Sequence, residues 1–518
     1  MFAYGVMPPV MFAGMVLFML IGFPVAFSLA AVGLFFAVLG IFTGHFTPEF
    51  MQALPLRVFG ILSNELLLAI PFFTFMGAIL ERCGLAEDLL EGTGHLFGKI
   101  PGGLAYAVIL VGAVLGAITG TVAASVIAMG VISLPVMMRY GYNMRIATGV
   151  IAASGTITQL IPPSLVLILL ADQLGRSVGD MYRGAFGPSA LQVILFALFI
   201  LAVSIWRPHY MPPLPDDVRV QRGWPLIRRI LWGMIPSIVL IFLVLGTIFL
   251  GLATPTEAGA LGAVGALVLA AMHNRLTFPL VRQAMQSTTR LTAMVVFILI
   301  GSTVFSLVFQ GMDGSHWIEH LLTGLPGGPI GFLIFVNVFV FFLAFFLDFF
   351  EIAFIVIPLL APVASALGID LVWFGVLLCV NMQTSFMHPP FGFALFYLRG
   401  IAPKEVKSSD IYIGAIPWVA MQLILVAIVI VWPQSVTFFL KKEKTFDPAA
   451  IELNVPMPAE QGPVGAPGNP FGEEGAQNPF APPAETQPPG QPDALPPPDF
   501  GAPAPDALPQ PDFSSPAK

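Results

Sequence analysis

Hydroxyl side chains lie inside a long apolar stretch of this sequence, at residues 144–171. This stretch is mostly apolar and is long enough to cross a bilayer, since a transmembrane helix needs ~20 residues. It is interrupted by Ser154, Gly155, Thr156 and Thr158. Neutral oxygens of this kind suit a hard cation such as sodium, and helix N-termini suit an anionic carboxylate. The stretch therefore predicts an ion or anion site within a membrane.

The same stretch contains the pair Pro162-Pro163. A proline pair should interrupt the helix, because proline lacks an N–H and restricts the residue before it. In hydrocarbon, the carbonyls freed by a break are tolerated only where they are buried in protein or line a polar cavity, as in transporter sites. A second pair, Pro389-Pro390, follows 227 positions later in NMQTSFMHPPF. We predict two broken helices that face one site.

Other polar clusters also coincide with interruptions of apolar runs. They are Thr119-Gly120-Thr121 with Ser125, Gly301-Ser302-Thr303, and Asn381 with Gln383, Thr384 and Ser385. A single polar residue in a span usually bonds a neighbouring helix, and that alternative applies to each of them. Our predicted substrate contacts are Ser125, Ser154, Gly155, Thr156, Asp348, Asn381, Gln383 and Thr384.

Asp348 and Glu351 are acids within an apolar run, three positions apart and so near one helix face. Intramembrane acids are functional by default, and the alternative is a structural pair bonded to hydroxyl or backbone donors. Glu257 has the position of a helix cap.

His388 lies inside the second break. A histidine there is predicted to sense pH or to donate a hydrogen bond to a ligand, and the alternative is a histidine that only packs against its neighbours.

The composition indicates what kind of chain carries these residues. The 518 residues are 57% hydrophobic and 10% charged, whereas soluble domains are about 25% charged. The sequence therefore predicts an all-α polytopic membrane protein. Cys83 and Cys379 are too few for a disulfide framework and are expected to be small buried hydrophobes. The first apolar run, 10–27, has no basic residue before it and predicts a transmembrane helix rather than a cleaved signal.

The positions of charged residues and the motifs that the sequence lacks limit the possible functions. The arginines of loop 207–230 place that loop in the cytoplasm by the positive-inside rule. The sequence contains no Walker A loop, HExxH motif or paired CxxC motif, and nothing indicates a nucleic-acid partner. An ion gradient is therefore the predicted driving force, with no cofactor and no metal other than sodium.

An internal repeat supports the paired breaks. At the offset of 227, Thr121 falls on Asp348, Pro135 on Pro362, Gly141 on Gly368 and Thr158 on Ser385. Such repeats in secondary transporters are commonly inverted.

Several stretches resemble the large membrane subunit (DctM-like permease) of tripartite ATP-independent periplasmic (TRAP) transporters. They are SNELLLAIPFFTFMG (63–77), TGTVAASVIAMGVISLPVMMRYGY (119–142), ASGTITQLIPPS (153–164), ATPTEAGA (253–260), FFLDFFEIAFIVIPLLAPVASALGIDLVWFG (345–375) and NMQTSFMHPPFGFALF (381–396). The run 169–188 is similar to a subgroup labelled for mannitol or chloroaromatic compounds, a label that does not identify the substrate.

The resemblance implies an elevator fold of the ion-transporter superfamily with two inverted repeats, each with a re-entrant hairpin and a broken helix. The expected organisation is scaffold helices in 1–58; a first repeat in 59–184, with hairpin 60–98 and broken helix 144–171; scaffold helices and cytoplasmic loop in 185–290; a second repeat in 291–403, with hairpin 291–323 and broken helix 371–399; a last scaffold helix in 404–443; and a disordered Pro-rich tail in 444–518. An ordinary kinked helix is the alternative for 60–98.

The resemblance also implies sodium-driven import of a small organic acid into a bacterial cell across its inner membrane. The expected partners are a small four-helix membrane subunit, a periplasmic substrate-binding protein and the lipid bilayer. Carried over residue by residue, the family's sodium ligands fall on Ser63, Asn64, Thr119, Thr121, Thr158, Ile161, Pro162, Gly301, Ser302, Ser385, His388 and Phe391.

The sequence departs from the family pattern near both proline pairs. The family often has glycine where Thr158 and Ser385 stand, and threonine where His388 stands. The first break is therefore expected to hold a conventional ion site and the second an altered one. The rival functions are a standalone ion-coupled anion transporter of the same superfamily, an intramembrane enzyme using Asp348, Glu351 or His388, and a structural membrane protein.

Overall fold

The computed structural model describes residues 6–215, 224–345, 347–390 and 392–440. Phe391 and the tail predicted to be disordered, 444–518, lie outside the described residues. Within the described ranges every regular element is a helix, which confirms the all-α class.

The helices of the first half include two broken or bent pairs. They are α1 (Met7–Leu20), α2 (Val25–Thr43), α3 (Leu54–Leu62), α4 (Ala69–Arg82), α5 (Leu85–Phe97), α6 (Gly103–Thr119), α7 (Val122–Arg139), α8 (Met144–Thr156), α9 (Leu165–Leu174) and α10 (Val178–Trp206).

The second half begins with two long helices and then repeats the first-half pattern. Its helices are α11 (Trp224–Phe249), α12 (Pro255–Met272), α13 (Phe278–Gly311), α14 (Gly314–Thr323), α15 (Gly328–Leu343), α16 (Phe349–Glu351), α17 (Ile357–Ala366), α18 (Leu371–Met382), α19 (Phe393–Ile401), α20 (Ser408–Val431) and α21 (Gln434–Thr437). A π turn, Ile352–Val356, joins α16 to α17.

The hydropathy of these helices identifies a multi-pass membrane protein. In the described part of the chain, 7 helices are long and apolar enough to cross a bilayer, or up to 9 if each bent pair forms one span. Their outer faces carry large apolar side chains, as expected where lipid is the solvent.

The internal repeat is visible in the helix boundaries. Shifted by 227 positions, α7 covers 349–366, the range of α16, the π turn and α17 together. The same shift superimposes α8 on α18 and α9 on α19 to within one residue at each end. Both proline pairs are cis, at Pro162-Pro163 and Pro389-Pro390.

The two broken helices run in opposite directions past each other. A Cβ on Gly375, near the start of α18, would overlap Leu174, the last residue of α9. Further along, Cys379 Sγ lies 3.4 Å from the carbonyl oxygen of Gln159. The repeats are therefore inverted relative to each other.

A helical hairpin precedes the first broken helix, formed by α6 and α7. Gly120, at φ +64°, and the extended Thr121 reverse the chain between these two helices. The first turn of α6 and the residues after α7 then meet, because the backbone N–H of Leu104 donates to Tyr142 Oη at 3.3 Å. In the second repeat, α15 and α17 take the places of α6 and α7 in the chain, and we call them the second hairpin. Both pack against α14.

These hairpins are not where the sequence was expected to place them. The predicted hairpin 60–98 contains α4 and α5, but α4 packs chiefly against α12 and α13, and α5 against α6 and α11. Pro71 does not divide α4, because it lies in the first turn, where no intrahelical N–H bond is lost. The chain instead bends by 45° between α3 and α4.

The predicted hairpin 291–323 begins inside α13, which is a continuous helix of 34 residues. The cluster Gly301-Ser302-Thr303 does not interrupt it, since Ser302 Oγ donates to the carbonyl of Leu299 at 2.9 Å within the same helix. The expected boundary between 290 and 291 therefore falls within one helix. The boundary between 184 and 185 likewise falls within α10.

Candidate functional site: the crossed helix breaks

The first break joins α8 to α9 through a 3₁₀ turn, Ile157–Gln159, and the cis proline pair. Hydroxyl donors bind the carbonyls that lack helix partners. Ser164 Oγ donates to the carbonyl of Gln159, and Ser189 Oγ of α10 donates to that of Leu160 at 3.2 Å. The irregular backbone is thus buried in protein, as bilayer physics requires.

The second break has the same construction. A 3₁₀ turn, Gln383–Phe386, leads from α18 towards the cis proline pair and α19. The carbonyl of His388 accepts the backbone N–H of Gly392 at 2.6 Å, which closes the loop around the prolines.

The predicted hydroxyl residues of the breaks donate to their own backbone. Thr158 Oγ1 donates to the carbonyl of Gly155 at 2.7 Å, and its repeat partner Ser385 donates to that of Met382 at 2.6 Å. Ser154 and Thr384 make the same kind of bond, at 2.9 and 2.6 Å. A hydroxyl that donates its proton in this way still has lone pairs to offer a cation. The pattern fits neutral-oxygen coordination.

Three buried glutamines connect the two breaks to neighbouring helices. Gln192 Nε2 of α10 donates to Gln383 Oε1 at 2.7 Å. Gln422 Nε2 of α20 donates to the same oxygen at 3.3 Å and to Thr156 Oγ1 at 3.2 Å. The side chains of these three glutamines and of Thr156 are fully buried. Helices α10 and α20, which lie in ranges expected to be scaffold (185–290 and 404–443), are therefore bonded to the broken helices.

Gln192 and Gln422 were missed by the sequence reasoning, and so was Gln159. Each is a single amide in or beside an apolar run, which is a signal available from the sequence. Both side-chain polar atoms of Gln159 are buried and have no hydrogen-bond partner among the described residues.

Small residues bring the first hairpin against the first break. A Cβ on Gly116 of α6 would lie 3.0 Å from the Cα of Thr158, and one on Gly155 would overlap the side chain of Val126 on α7. At the hairpin tip, a Cβ on Gly120 would lie 3.7 Å from Leu165. Of the predicted site residues, Ser154, Gly155 and Thr158 lie at this contact, with Ser154 against Gly112 of α6.

Ser63 and Asn64 do not reach the break. Asn64 Nδ2 donates to Asp172 Oδ1 at 2.7 Å, and Asp172 lies near the far end of α9. At 1.5 Å of rise per residue, this end is roughly 12 Å from Ser164. Ser63 is exposed and its hydroxyl donates to the carbonyl of Phe59.

Gly301 lies elsewhere, on the face of α13 that packs against α2, where a Cβ on Gly301 would overlap the carbonyl oxygen of Ala26. Ser302 is buried in the same helix and its hydroxyl donates to the carbonyl of Leu299. The structure therefore places Gly301 at a helix–helix contact. Of the second-half sodium predictions, Ser385 and His388 lie in the break, and Phe391 is outside the described residues.

Asp348 and Glu351 form a capping box at the start of α16. Asp348 accepts the backbone N–H of Phe349, and Glu351 Oε2 accepts the backbone N–H of Asp348 at 3.0 Å. The pair thus has the backbone donors that its structural alternative requires. Thr254 and Glu257 form the same motif at α12.

His388 packs between two aromatic rings of the second hairpin. Its ring centroid lies 4.2 Å from those of Phe341 and Phe345. The side chain is 1% exposed, and neither ring nitrogen has a hydrogen-bond partner among the described residues. Asn381 on α18 donates to the carbonyl of Asn337 on α15 at 2.7 Å, but its own oxygen is buried and unpartnered. The second break therefore has more unsatisfied polar atoms to offer a ligand.

Comparisons with known proteins identify a family. The model of the "Tripartite ATP-independent periplasmic transporter, DctM component" matches residues 12–435. Among curated relatives, the C4-dicarboxylate TRAP transporter large permease protein DctM of Pseudomonas aeruginosa is 30% identical, covering 74% of this chain and 88% of that protein. The sialic acid TRAP transporter large permease protein SiaM of Vibrio cholerae is 28% identical, over 80% and 93%.

The isethionate TRAP transporter permease protein DctMQ of Oleidesulfovibrio alaskensis is 27% identical, and this chain covers 66% of it. Among solved structures, the YdaH transporter of Alcanivorax borkumensis has a TM-score of 0.52 at 15% identity, covering 74% of this chain and 88% of that one. At that identity the likeness supports the fold alone.

Proposed function

The chain belongs to the DctM component family of tripartite ATP-independent periplasmic transporters, and from this premise we propose that it is the large permease subunit of a sodium-coupled, binding-protein-dependent importer of a small organic acid. The observation that carries the proposal is the pair of antiparallel broken helices, crossed where Gln159 meets Cys379 and flanked by the tip of a hairpin. Such breaks supply backbone and hydroxyl oxygens within a bilayer.

The proposed transport step is an elevator movement. The moving part consists of α6 to α10 and α15 to α20, because the glutamine contacts and the close glycine packing tie these helices together. The frame consists of α1 to α4 and α11 to α13, in which α2 packs on α13 and α4 on α12. Helices α5 and α14 connect the two parts. This proposed division differs from the boundaries expected from the sequence.

The proposed sodium ligands are the oxygens of the breaks and of the first hairpin tip. They are contributed by Thr119, Thr121, Thr158, Ile161 and Pro162 in the first repeat and by Ser385 and His388 in the second. A carbonyl ligand at His388 would tolerate the change of side chain from the family's threonine, but a hydroxyl ligand would not. The organic anion is proposed to lie between the breaks, near Ser125, Asn381, Gln383 and Thr384.

The proposed partners are a periplasmic binding protein that delivers the anion and a small four-helix membrane subunit, in a bacterial inner membrane. The large subunit's relatives are named for C4-dicarboxylate, sialic acid and isethionate. All three are organic acids, which supports an organic acid as the substrate class here. The mannitol or chloroaromatic label suggested by 169–188 stays a prediction.

The test is uptake into liposomes that contain this chain and the small subunit. A screen of the binding protein by thermal shift with organic acids supplies the radiolabelled substrate. Uptake is expected only with the binding protein outside and an inward sodium gradient. Full-rate uptake without the binding protein would favour a standalone anion transporter, and full-rate uptake without sodium would exclude sodium coupling.

A further inference from the structure

A cavity of about 460 Å³ lies between α5 and the hairpin α6–α7, away from the helix breaks. Apolar side chains form most of its wall, among them Leu90, Val108, Val136 and Met137. This volume is in the range that holds small ligands. Since its walls are mainly aliphatic, the cavity suits an apolar chain rather than a polar metabolite.

Two polar groups face this cavity without a protein partner. Ser133 is 2% exposed and its hydroxyl has no hydrogen-bond partner among the described residues. His95 Nδ1, in the last turn of α5, is likewise buried and unpartnered. Leaving a buried polar atom unpaired is unfavourable, so these groups point to a ligand with hydrogen-bonding atoms at one end.

The cavity lies beside the loop that is predicted to be cytoplasmic. Its wall includes Leu214, whose backbone N–H donates to the carbonyl of Gly98 at 2.8 Å. Residues 207–214 are the first part of the arginine-rich loop 207–230, which the positive-inside rule assigns to the cytoplasm. Arg139 marks the rim, with its guanidinium carbon 5.9 Å from the centroid of the cavity-lining Tyr140 ring. Arg139 is exposed at this rim.

We propose that this cavity binds an anionic phospholipid of the cytoplasmic leaflet, with an acyl chain along the aliphatic wall and the phosphate at Arg139. Ser133 donates to an ester carbonyl of the lipid. The charge of Arg139 selects an anionic head group, because basic residues near the surface attract anionic lipids. The proposal does not depend on the transport mechanism, and the site lies outside the predicted sodium and substrate residues.

Native mass spectrometry of the full-length protein in detergent tests the proposal. The probes are dioleoyl phosphatidylglycerol and dioleoyl phosphatidylcholine. We expect wild type to bind the anionic lipid more tightly. Arg139→Gln should weaken phosphatidylglycerol binding about fivefold and leave phosphatidylcholine unchanged. Ser133→Ala should weaken both about fivefold, the effect of one neutral hydrogen bond.

Val136→Trp, which fills the cavity, should reduce binding of both lipids. The matched controls are Arg282→Gln, an exposed arginine on the same predicted membrane side, and Val264→Trp on the exposed face of α12. Neither should change binding. If Val136→Trp misfolds, Ser133→Ala still tests whether lipid binds in the cavity, because this substitution removes one oxygen and adds no volume.

Three results would overturn the proposal. Unchanged binding of both lipids by Ser133→Ala would place the lipid elsewhere. An unchanged preference for phosphatidylglycerol in Arg139→Gln would remove the head-group assignment. If a protein co-purifies with the wild type but not with Val136→Trp, and Val136→Trp still binds lipid, the cavity is a site for a protein partner.

Discussion

Gln192 of α10 and Gln383 of the second helix break form a hydrogen bond of 2.7 Å, from Nε2 to Oε1, in a part of the molecule where neither side chain is exposed. The same oxygen of Gln383 also accepts the Nε2 of Gln422 on α20. Two long helices are thereby joined to one break by buried hydrogen bonds. We expect α10 and α20 to move together with the broken helices.

Gln383→Leu is expected to lower the free energy of unfolding by at least about 2 kcal/mol, because Gln192 and Gln422 each lose a hydrogen-bond acceptor and Gln422 keeps only Thr156. Gln192→Leu should cost less, since it removes one donor only. The double variant should show a coupling energy of about 1 kcal/mol in a double-mutant cycle, measured by unfolding in mixed micelles. Gln286→Leu, at an exposed position of α13, is the control and should change stability by less than about 0.5 kcal/mol. Additive effects of the two substitutions would contradict the observed bond.

Gly155→Ala tests the close contact between the first hairpin and the first break. The added Cβ would overlap Val126 Cγ2 and lie 3.1 Å from the backbone nitrogen of Val126. Because backbone cannot yield as a flexible side chain does, we expect a loss of about 1–3 kcal/mol in stability and a fall in uptake. Gly246→Ala is the matched control, since nothing lies within 4 Å of its Cβ position and its backbone is helical. That variant should be neutral or slightly stabilising. Equal effects of the two substitutions would exclude a packing cause.

The sequence was sufficient for the repeat, both broken helices and the all-α membrane class. These features depend on local chemistry, since a proline pair in the interior of a helix removes N–H donors and interrupts the helix. The hairpins were misplaced because the sequence does not show which helices pack together. Thr119-Gly120-Thr121 reverses the chain, whereas the similar cluster at Gly301 stays helical, and the left-handed conformation of Gly120 makes the difference.

The site was predicted in part for the same reason. Thr158 and Ser385 lie in the breaks because their neighbours in sequence form the breaks. Asn64 was predicted to lie at the break, but it bonds to Asp172 instead. That contact depends on how α4 packs against α9, which the sequence does not show. Gln192 and Gln422 are distant in sequence from both breaks, so only tertiary packing brings them there.

Asp348→Asn and Asp348→Ala separate the two roles open to this acid. Asparagine and aspartate both cap helices well, whereas alanine does not. We expect Asp348→Asn to keep the stability and uptake of the wild type, and Asp348→Ala to lose about 1 kcal/mol, as judged by unfolding in detergent and by liposome uptake. Glu257→Gln, in the exposed capping box of α12, serves as the control for a change of charge in the same motif. A stable Asp348→Asn protein without uptake would show that the carboxylate charge itself contacts the ligand.

His388→Phe tests whether the unpartnered imidazole in the second break serves a ligand. The substitution keeps an aromatic ring between Phe341 and Phe345 but removes two buried nitrogens that lack partners. We expect the protein without substrate to become more stable by about 1–3 kcal/mol, because an unsatisfied polar group is replaced by an apolar one. Uptake should fall, with a higher KM for sodium or for the organic acid, because the loaded state loses a polar contact.

His388→Thr completes this test, since it restores a polar side chain, and the DctM family often has threonine at this position. We expect His388→Thr to recover uptake relative to His388→Phe, and to do so without the gain in stability, since its hydroxyl is again a buried polar group. Phe345→Leu is the packing control, because it removes one aromatic neighbour of the imidazole while leaving both nitrogens in place. If His388→Phe transports with the KM values of the wild type, His388 is a packing residue and the asymmetry between the two breaks has no part in transport.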